Sequence, residues 1–574
     1  MRLNFLQQPS PLLRRRARQT IKRSLGERSI SLVFIGLIFT VLGQFICAIL
    51  LPNADDTGSE MNKMFKRSFL RSDRKRLAQR NKHPVKPIVY GRRPLSSSSQ
   101  VATLPRYPIN HRDATNKLAT NEALSACNHA LWRTLETTTY VLPKNETFIF
   151  TGDIYELWVR DSAAQIHTLL LPNTMLLDGG TKSSLVQSDP RLQRIVSGLI
   201  LKTARFIRHD PYANAFRMKD DREFSEFERE ALGRHGFIAT WNYELDSGCY
   251  FMRMVYFFHI NFPTHPVLQM REVKEAVMIM IDVWIAEQRH EDDEYPEGAL
   301  FDCYHCDALP YRYNPDELQR GGKGTATNSS VGLTWSGFRP SDDPCEYGYL
   351  IPANMFVVAV LGYMMELCDS IWHDEVLKNK ANKLREEIHF GIQEHGIVDH
   401  SKYGQIYAFE VDGLGNSLLT DDANIPNLLS IPYLGYEYDE EVYANTKRFI
   451  LSDDNPTFHK GEFNRIKIEG LGSSHNLKLI PDEIWPMGMI MQGLVSKDIK
   501  EKVEIVEKLL QASANTNQMH EGFSANNPAE FSRSWFCWAD SLFAELVMSL
   551  SDECPQTLMN YEYLMNGLFA RSNE

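Results

Sequence analysis

The sequence predicts an all-α body, two concentric rings of helices forming an (α/α) toroid, carried behind one membrane-crossing helix. Three observations predict it. A 22-residue stretch near the N-terminus has no charge, helical periodicity dominates from about residue 106 onward, and buried-type helices alternate with amphipathic ones.

The chain has 574 residues and a net charge of -11. That figure hides a split: residues 1–105 hold 20 Lys+Arg against 5 Asp+Glu, a net +15, which leaves -26 on the remainder. A body so acidic repels a phosphate backbone, which argues against nucleic acid as a partner. Hydrophobic residues at 43% suffice for a sizeable core.

Residues 30–51, ISLVFIGLIFTVLGQFICAILL, would form a helix about 33 Å long, enough to cross a bilayer core. No small-residue cleavage site follows, so an uncleaved anchor is expected. Eight Lys/Arg precede it, including Arg14, Arg15 and Arg16, whereas Asp55, Asp56 and Glu60 follow it. By the positive-inside rule residues 1–29 are a cytosolic tail and the body faces the lumen of the secretory pathway, Golgi or endoplasmic reticulum. Residues 52–105 read as a flexible stem, basic between Lys63 and Arg93. Asn145-Glu-Thr and Asn328-Ser-Ser are sequons consistent with that side.

Of nine cysteines, Cys47 lies in the anchor, and the other eight would meet an oxidising lumen. Cys303-Tyr-His-Cys306 has the spacing of half a zinc site but no matching second pair, so disulfides or buried thiols are expected rather than metal.

Within residues 106–574, Asn354 to Trp372 is apolar almost all round, as befits a helix covered on every side. In Leu377 to Ile392 the apolar residues Leu377, Ala381, Leu384, Ile388 and Ile392 recur at three- and four-residue steps, leaving one wet face. The contrast repeats between Lys502 to Gln511 and Trp538 to Met548. No repeat of fixed length supports a solenoid. Strand-like runs such as Gly404 to Val411 are short and are expected to decorate the toroid.

Loops between these helices concentrate acids with Trp, Arg and His. They are TGDIYELWVRDSAAQ (151–165), WNYELDSGCY (241–250), GLTWSGFRPSDDPCEYGY (332–349), FEVDGLGN (409–416), DDANIPNLLSIPYLG (421–435), IWPMGMIMQG (484–493) and MHEGF (519–523). Any one of these acids is more often a cap, a turn residue or an ion-pair partner than a catalyst. Their clustering in loops of a helical toroid is what a pocket at its mouth requires.

Together with SWFCWADSLFAEL (534–546), these stretches resemble, in order from about Ala123 to Leu550, glycoside hydrolase family 125, the metal-independent exo-α-1,6-mannosidases. The anchor makes the chain look like a fungal-type member. The resemblance implies an (α/α)6 toroid, no cofactor or metal, a mannose-containing glycan as substrate, and inversion at the anomeric carbon. Inversion needs a protonated carboxyl to donate to the leaving oxygen and a carboxylate ~6.5 to 9.5 Å away to activate water. By motif the acid lies in Asp342-Asp343 and the base is Glu521. Asp342 is preferred as donor, because Asp343 precedes Pro344 and its backbone is biased to extended conformations. Arg160, Asp161, Trp335, Arg339 and His520 are assigned to sugar binding, and Glu244 and Asp246 to substrate contact or bracing of the pocket. The 17 histidines show no HxxxH or similar ligand spacing. Two rivals are a toroidal glycosidase of other sugar specificity and a luminal lectin or quality-control protein that binds mannose without cutting it.

Overall fold

The computed structural model describes residues 119–177, 181–219, 236–291, 318–476, 480–551, 553–554 and 561–570. The expected tail, anchor and stem, the sequence up to residue 118, and the Cys303/Cys306 pair lie outside the described residues.

Among the described residues, the helices that build the ring are, in order, α1 (Asn121–Thr138), α2 (Val159–Leu170), α3 (Pro190–His209), α4 (Leu245–Asn261), α5 (Arg271–Gln288), α6 (Ile351–Leu367), α7 (Glu375–His395), α8 (Ile431–Leu434), α9 (Glu440–Ile450), α10 (Pro486–Val495), α11 (Ile499–Ala512) and α12 (Cys537–Met548), and Tyr561–Ala570 follows them. The even-numbered ones pack each on the next, α2 on α4, α4 on α6, α6 on α8, α8 on α10 and α10 on α12, and α12 returns to α2. Their layer therefore closes on itself. Odd-numbered helices cover it: α7 lies on α6, α11 on α10, and α1 on α12. The arrangement is compatible with the helical toroid read from the sequence.

Local chemistry explains the alternation. Every residue of α2 and of α12 is buried, and in α6 the apolar positions leave no wet stripe. Helix α6 with the turn that follows is long and apolar enough to cross a membrane, yet 83% of its apolar window is covered by protein, so it is a core helix. In α7, by contrast, Leu377, Ala381, Leu384, Ile388 and Ile392 are buried while Lys and Glu between them face water. The outer helices also carry side-chain caps. Thr120, Asp189, Asp374, Asp439 and Asp498 each accept a backbone N–H of the first turn, and Pro190 starts α3 where its missing N–H costs nothing.

Strands are two- to six-residue pieces joined in small antiparallel sheets. The expected strand over 404–411 is two, Gly404–Tyr407 and Glu410–Val411, the second paired with Tyr349–Leu350. Cys127 of α1 is disulfide-bonded to Cys554 beyond α12, so the first helix is tied to the end of the ring. Cys249, Cys345, Cys368 and Cys537 are buried thiols.

Candidate active site

Three inner helices begin at the same group of loops, and their first turns carry acids: Asp161 on α2, Asp246 on α4 with Glu244 at its N-cap, and Asp540 on α12. Helix N-termini present unpaired N–H groups and a partial positive charge, so carboxylates are favoured there. One cation holds this cluster together. Arg160 Nη1 lies 2.7 Å from Glu244 Oε2 and 3.6 Å from Asp246 Oδ2, and Arg160 Nε is 3.3 Å from Asp161 Oδ2. All four side chains are at most 5% exposed.

One guanidinium cannot neutralise three buried acids. Burial, against the pull of Arg160, raises Asp161 and Asp246 to about 6, and raises Glu244 well above the carboxylate range. Asp342 adds to the pressure on Glu244 by its charge. Arg160 Nε and Nη1, Asp161 Oδ2, Glu244 Oε1 and both oxygens of Asp246 are buried without a conventional hydrogen-bond partner. Buried polar atoms are ordinarily satisfied, and here Arg160 and its neighbours meet through ion pairs alone. Behind Glu244, Asn214, Tyr243 and Ser247 line a cavity of about 10 Å³, room for one water.

The loop 332–349 is clamped over this cluster. Gly337 and Phe338 donate backbone N–H groups to the Tyr243 carbonyl, and Ser336 Oγ accepts from Leu245 N. Asp342 adopts a left-handed backbone, φ 64°, which Asp tolerates better than most residues. That twist sends the two adjacent acids to different partners. Asp342 Oδ1 accepts from Asn214 Nδ2 at 3.3 Å, and the Asn214 amide is oriented by Thr240 Oγ1 and Asn242 N, both donating to its oxygen. Asp343 instead accepts from Ser341 Oγ at 3.0 Å and Ser474 Oγ at 2.7 Å, with His475 Nδ1 at 3.4 Å. Burial would raise Asp343, but His475 and the two hydroxyls outweigh it and hold the carboxyl below its ordinary range.

Glu521 reaches the site from the other side. Its backbone is set by Asp540 Oδ1, which accepts Met519 N at 2.7 Å, and by pairing of Gly522–Ser524 between Glu483–Ile484 and Phe531–Ser532. Gly522 leaves room there for the Glu483 side chain, which a Cβ would displace. Arg533 Nε donates to Glu521 Oε1 at 3.0 Å and Arg533 Nη1 pairs with Asp153 at 2.5 Å. The two halves share one electrostatic neighbourhood: Asp161 feels both Asp342 and Arg533, and His475 feels Asp342, Asp343 and Glu521.

The family model for metal-independent alpha-mannosidase, GH125, matches residues 121–548, which span every loop just described. This chain belongs to the GH125 family. A solved Streptococcus pneumoniae metal-independent alpha mannosidase, in a non-productive complex with alpha-1,6-mannobiose, is 34% identical, with a TM-score of 0.64 over 74% of this chain and 93% of that one. The meiotically up-regulated gene 157 protein of Schizosaccharomyces pombe is 34% identical over 425 residues, 72% of this chain and 78% of that protein.

As a GH125 glycoside hydrolase, the chain brings Arg160, Asp161, Glu244, Asp246, Asp342 and Glu521 to one place, with Asp343 beside them. Three other residues assigned to sugar binding from the sequence are occupied by protein. The Trp335 indole, 1% exposed, stacks on His290 at 3.7 Å, and Gly337 and Gly348 lie so close that a Cβ on either would strike the ring. His520 stacks on Phe531 at 3.7 Å, with Nδ1 3.0 Å from the Arg533 carbonyl. Arg339 Nε donates to Glu410 at 2.5 Å and Arg339 Nη1 to Ser474 Oγ at 3.3 Å. All three brace the loops that carry the acids. Asn214, Arg533 and His475 lay outside the quoted stretches, because each acts through a partner distant in the chain, and Asp540 lay inside SWFCWADSLFAEL without being singled out.

Proposed function

We propose that this GH125 protein removes terminal α-1,6-linked mannose from the non-reducing end of glycans by a single displacement with inversion. On this reading Asp342 gives its proton to the leaving glycosidic oxygen and Glu521 draws a proton from the attacking water. The separation of the two acids in the SDD turn carries the assignment. Asp343 is held below its ordinary range by His475 and two hydroxyls, whereas the left-handed backbone of Asp342 turns its carboxyl to Asn214 and into the field of Arg160, Asp161 and Glu244.

The closed inner end supports an exo mode: Arg160, Glu244 and Asp246 are 0–3% exposed, so a glycan cannot run on past them and its chain leaves towards solvent. The ion-paired side chains of Arg160, Asp161 and Asp246 are the groups that meet its hydroxyls. Positive charge developing at the anomeric carbon is met by the surplus of carboxylates, so this chemistry calls for no metal. The (α/α)6 body stands on the luminal side of a type II anchor at residues 30–51, a placement with which the Cys127–Cys554 bridge agrees.

The test is the solubilised full chain incubated with α-1,6-mannobiose and a chelator, with the released anomer followed by NMR. Initial release of β-mannose supports the reading. Initial α-mannose removes inversion, loss of activity with chelator removes metal independence, and binding without turnover returns the lectin reading.

A further inference from the structure

His475 belongs to no element assigned so far, yet three loops converge to hold it. Ser473 Oγ donates to Asp422 Oδ2 at 2.8 Å and Ser474 N donates to the same oxygen at 3.2 Å. Ser474 Oγ bridges Arg339 and Asp343, and His475 Nδ1 sits 3.4 Å from Asp343 Oδ1. Asp422, at the start of its own loop, is in turn fixed by Asn424 N at 2.8 Å. These bonds fix the backbone that leads into His475 and place its ring beside Asp343.

Its position has a direction. The acids around Arg160 are at most 5% exposed, the Asp343 side chain is 26% exposed, and the His475 side chain is 39% exposed. Exposure thus rises from the closed end through the SDD turn to His475. A proton donor necessarily lies beside the scissile oxygen, so a residue on the solvent side of Asp342 faces the sugar that departs. His475 Nε2 has no partner among the described residues, and the acids that act on the ring are Asp343, Asp342 and Glu521, with Glu483 also feeling its charge.

We propose that His475 holds the departing sugar: Nε2 hydrogen-bonds a hydroxyl of the residue on the leaving side of the scissile bond, while Nδ1 stays on Asp343. The inference rests on the hydrolase reading above and adds the leaving-side contact to it. A sugar hydroxyl both donates and accepts, so the bond forms with the ring neutral or charged. The Asp343 bond, against burial, raises His475 and favours the charged ring, the stronger donor. The second acid of the SDD turn then acts as a positioning residue for His475.

The experiment compares His475→Ala and His475→Gln with wild type in the solubilised full chain on two substrates. One is α-1,6-mannobiose and the other is α-mannosyl fluoride, which carries no leaving-side sugar. We expect kcat/KM of the Ala variant on mannobiose to fall about 10- to 100-fold, the size of a hydrogen bond to a charged group. Activity on the fluoride should stay within about twofold, and Gln should recover part of the mannobiose loss. Equal losses on both substrates, or no loss on mannobiose, overturn the role of His475 and leave the hydrolase reading standing. A wild-type chain that cleaves neither substrate overturns both.

Discussion

Arg160 and Glu244 meet at 2.7 Å with both side chains at most 3% exposed, one cation facing an acid from another loop at the closed end of the site. Breaking a buried pair by removing one partner leaves an uncompensated charge, at a cost of about 3–5 kcal/mol. Arg160→Met therefore lowers the melting temperature sharply at pH 7.5. The loss should be smaller at pH 5, where Asp161, Asp246 and Glu244 can take up protons in place of the missing cation. An equal loss at both pH values would mean that packing, not charge, holds this end together.

Other buried carboxyls, two of them beside Glu521, add a pH dependence to the fold. Burial raises Asp421 and Asp540 to about 8 and Glu483 and Glu545 to about 7, from ordinary values near 4. A carboxyl raised by folding contributes stability at low pH and loses it as pH climbs through the folded value. The buried histidines His167 and His520 are lowered from 6.5, so their opposing effect ends by that pH. Between pH 6.5 and 8.5 the melting temperature should fall by several degrees. Calorimetry showing a rise across that window would contradict these shifts.

The Cys127–Cys554 bridge spans 427 residues. Cross-links of this kind contribute typically ~2–5 kcal/mol by restricting the unfolded chain. Cys127→Ser, or reductant added to the wild type, should lower the melting temperature, and reductant should have no further effect on the variant. Identical melting curves with and without reductant would show that the bond does not form.

The two sequons differ in what their side chains do. Asn145 is exposed in the turn after Thr139–Leu142. Asn328 Nδ2 donates to the Gly413 carbonyl at 3.2 Å, and its oxygen accepts from Ser330 N and Oγ. If the body is luminal, a glycan is expected on Asn145 and not on Asn328, where it would displace the bond to the loop that carries Glu410. Glycosidase treatment of the full chain should shift its mobility, and Asn145→Gln should abolish the shift. A shift that only Asn328→Gln removes would reverse the assignment.

The ring of helices was legible because burial writes itself into periodicity: Leu377, Ala381, Leu384, Ile388 and Ile392 are the positions that α7 buries. The acids of the site were legible as a set because they sit in short Gly- and Pro-rich loops with distinctive neighbours. Their partners were not. Arg533 meets Asp153 across 380 residues of sequence and Asn214 meets Asp342 across 128, contacts that no local pattern encodes. Trp335 and His520 show the opposite difficulty. An aromatic beside a catalytic acid has the same composition whether it stacks on a sugar or on His290 and Phe531, and only packing distinguishes the two.

The acids around Arg160 also bear on how the empty and filled sites exchange hydrogen ions with buffer. With Asp161 and Asp246 both near 6, an unliganded molecule at that acidity is a mixture of ionisation states. A guest whose hydroxyls donate to these oxygens draws the mixture towards the charged form. Its arrival then expels a fraction of a proton, and the heat of association measured by titration changes with the ionisation enthalpy of the buffer.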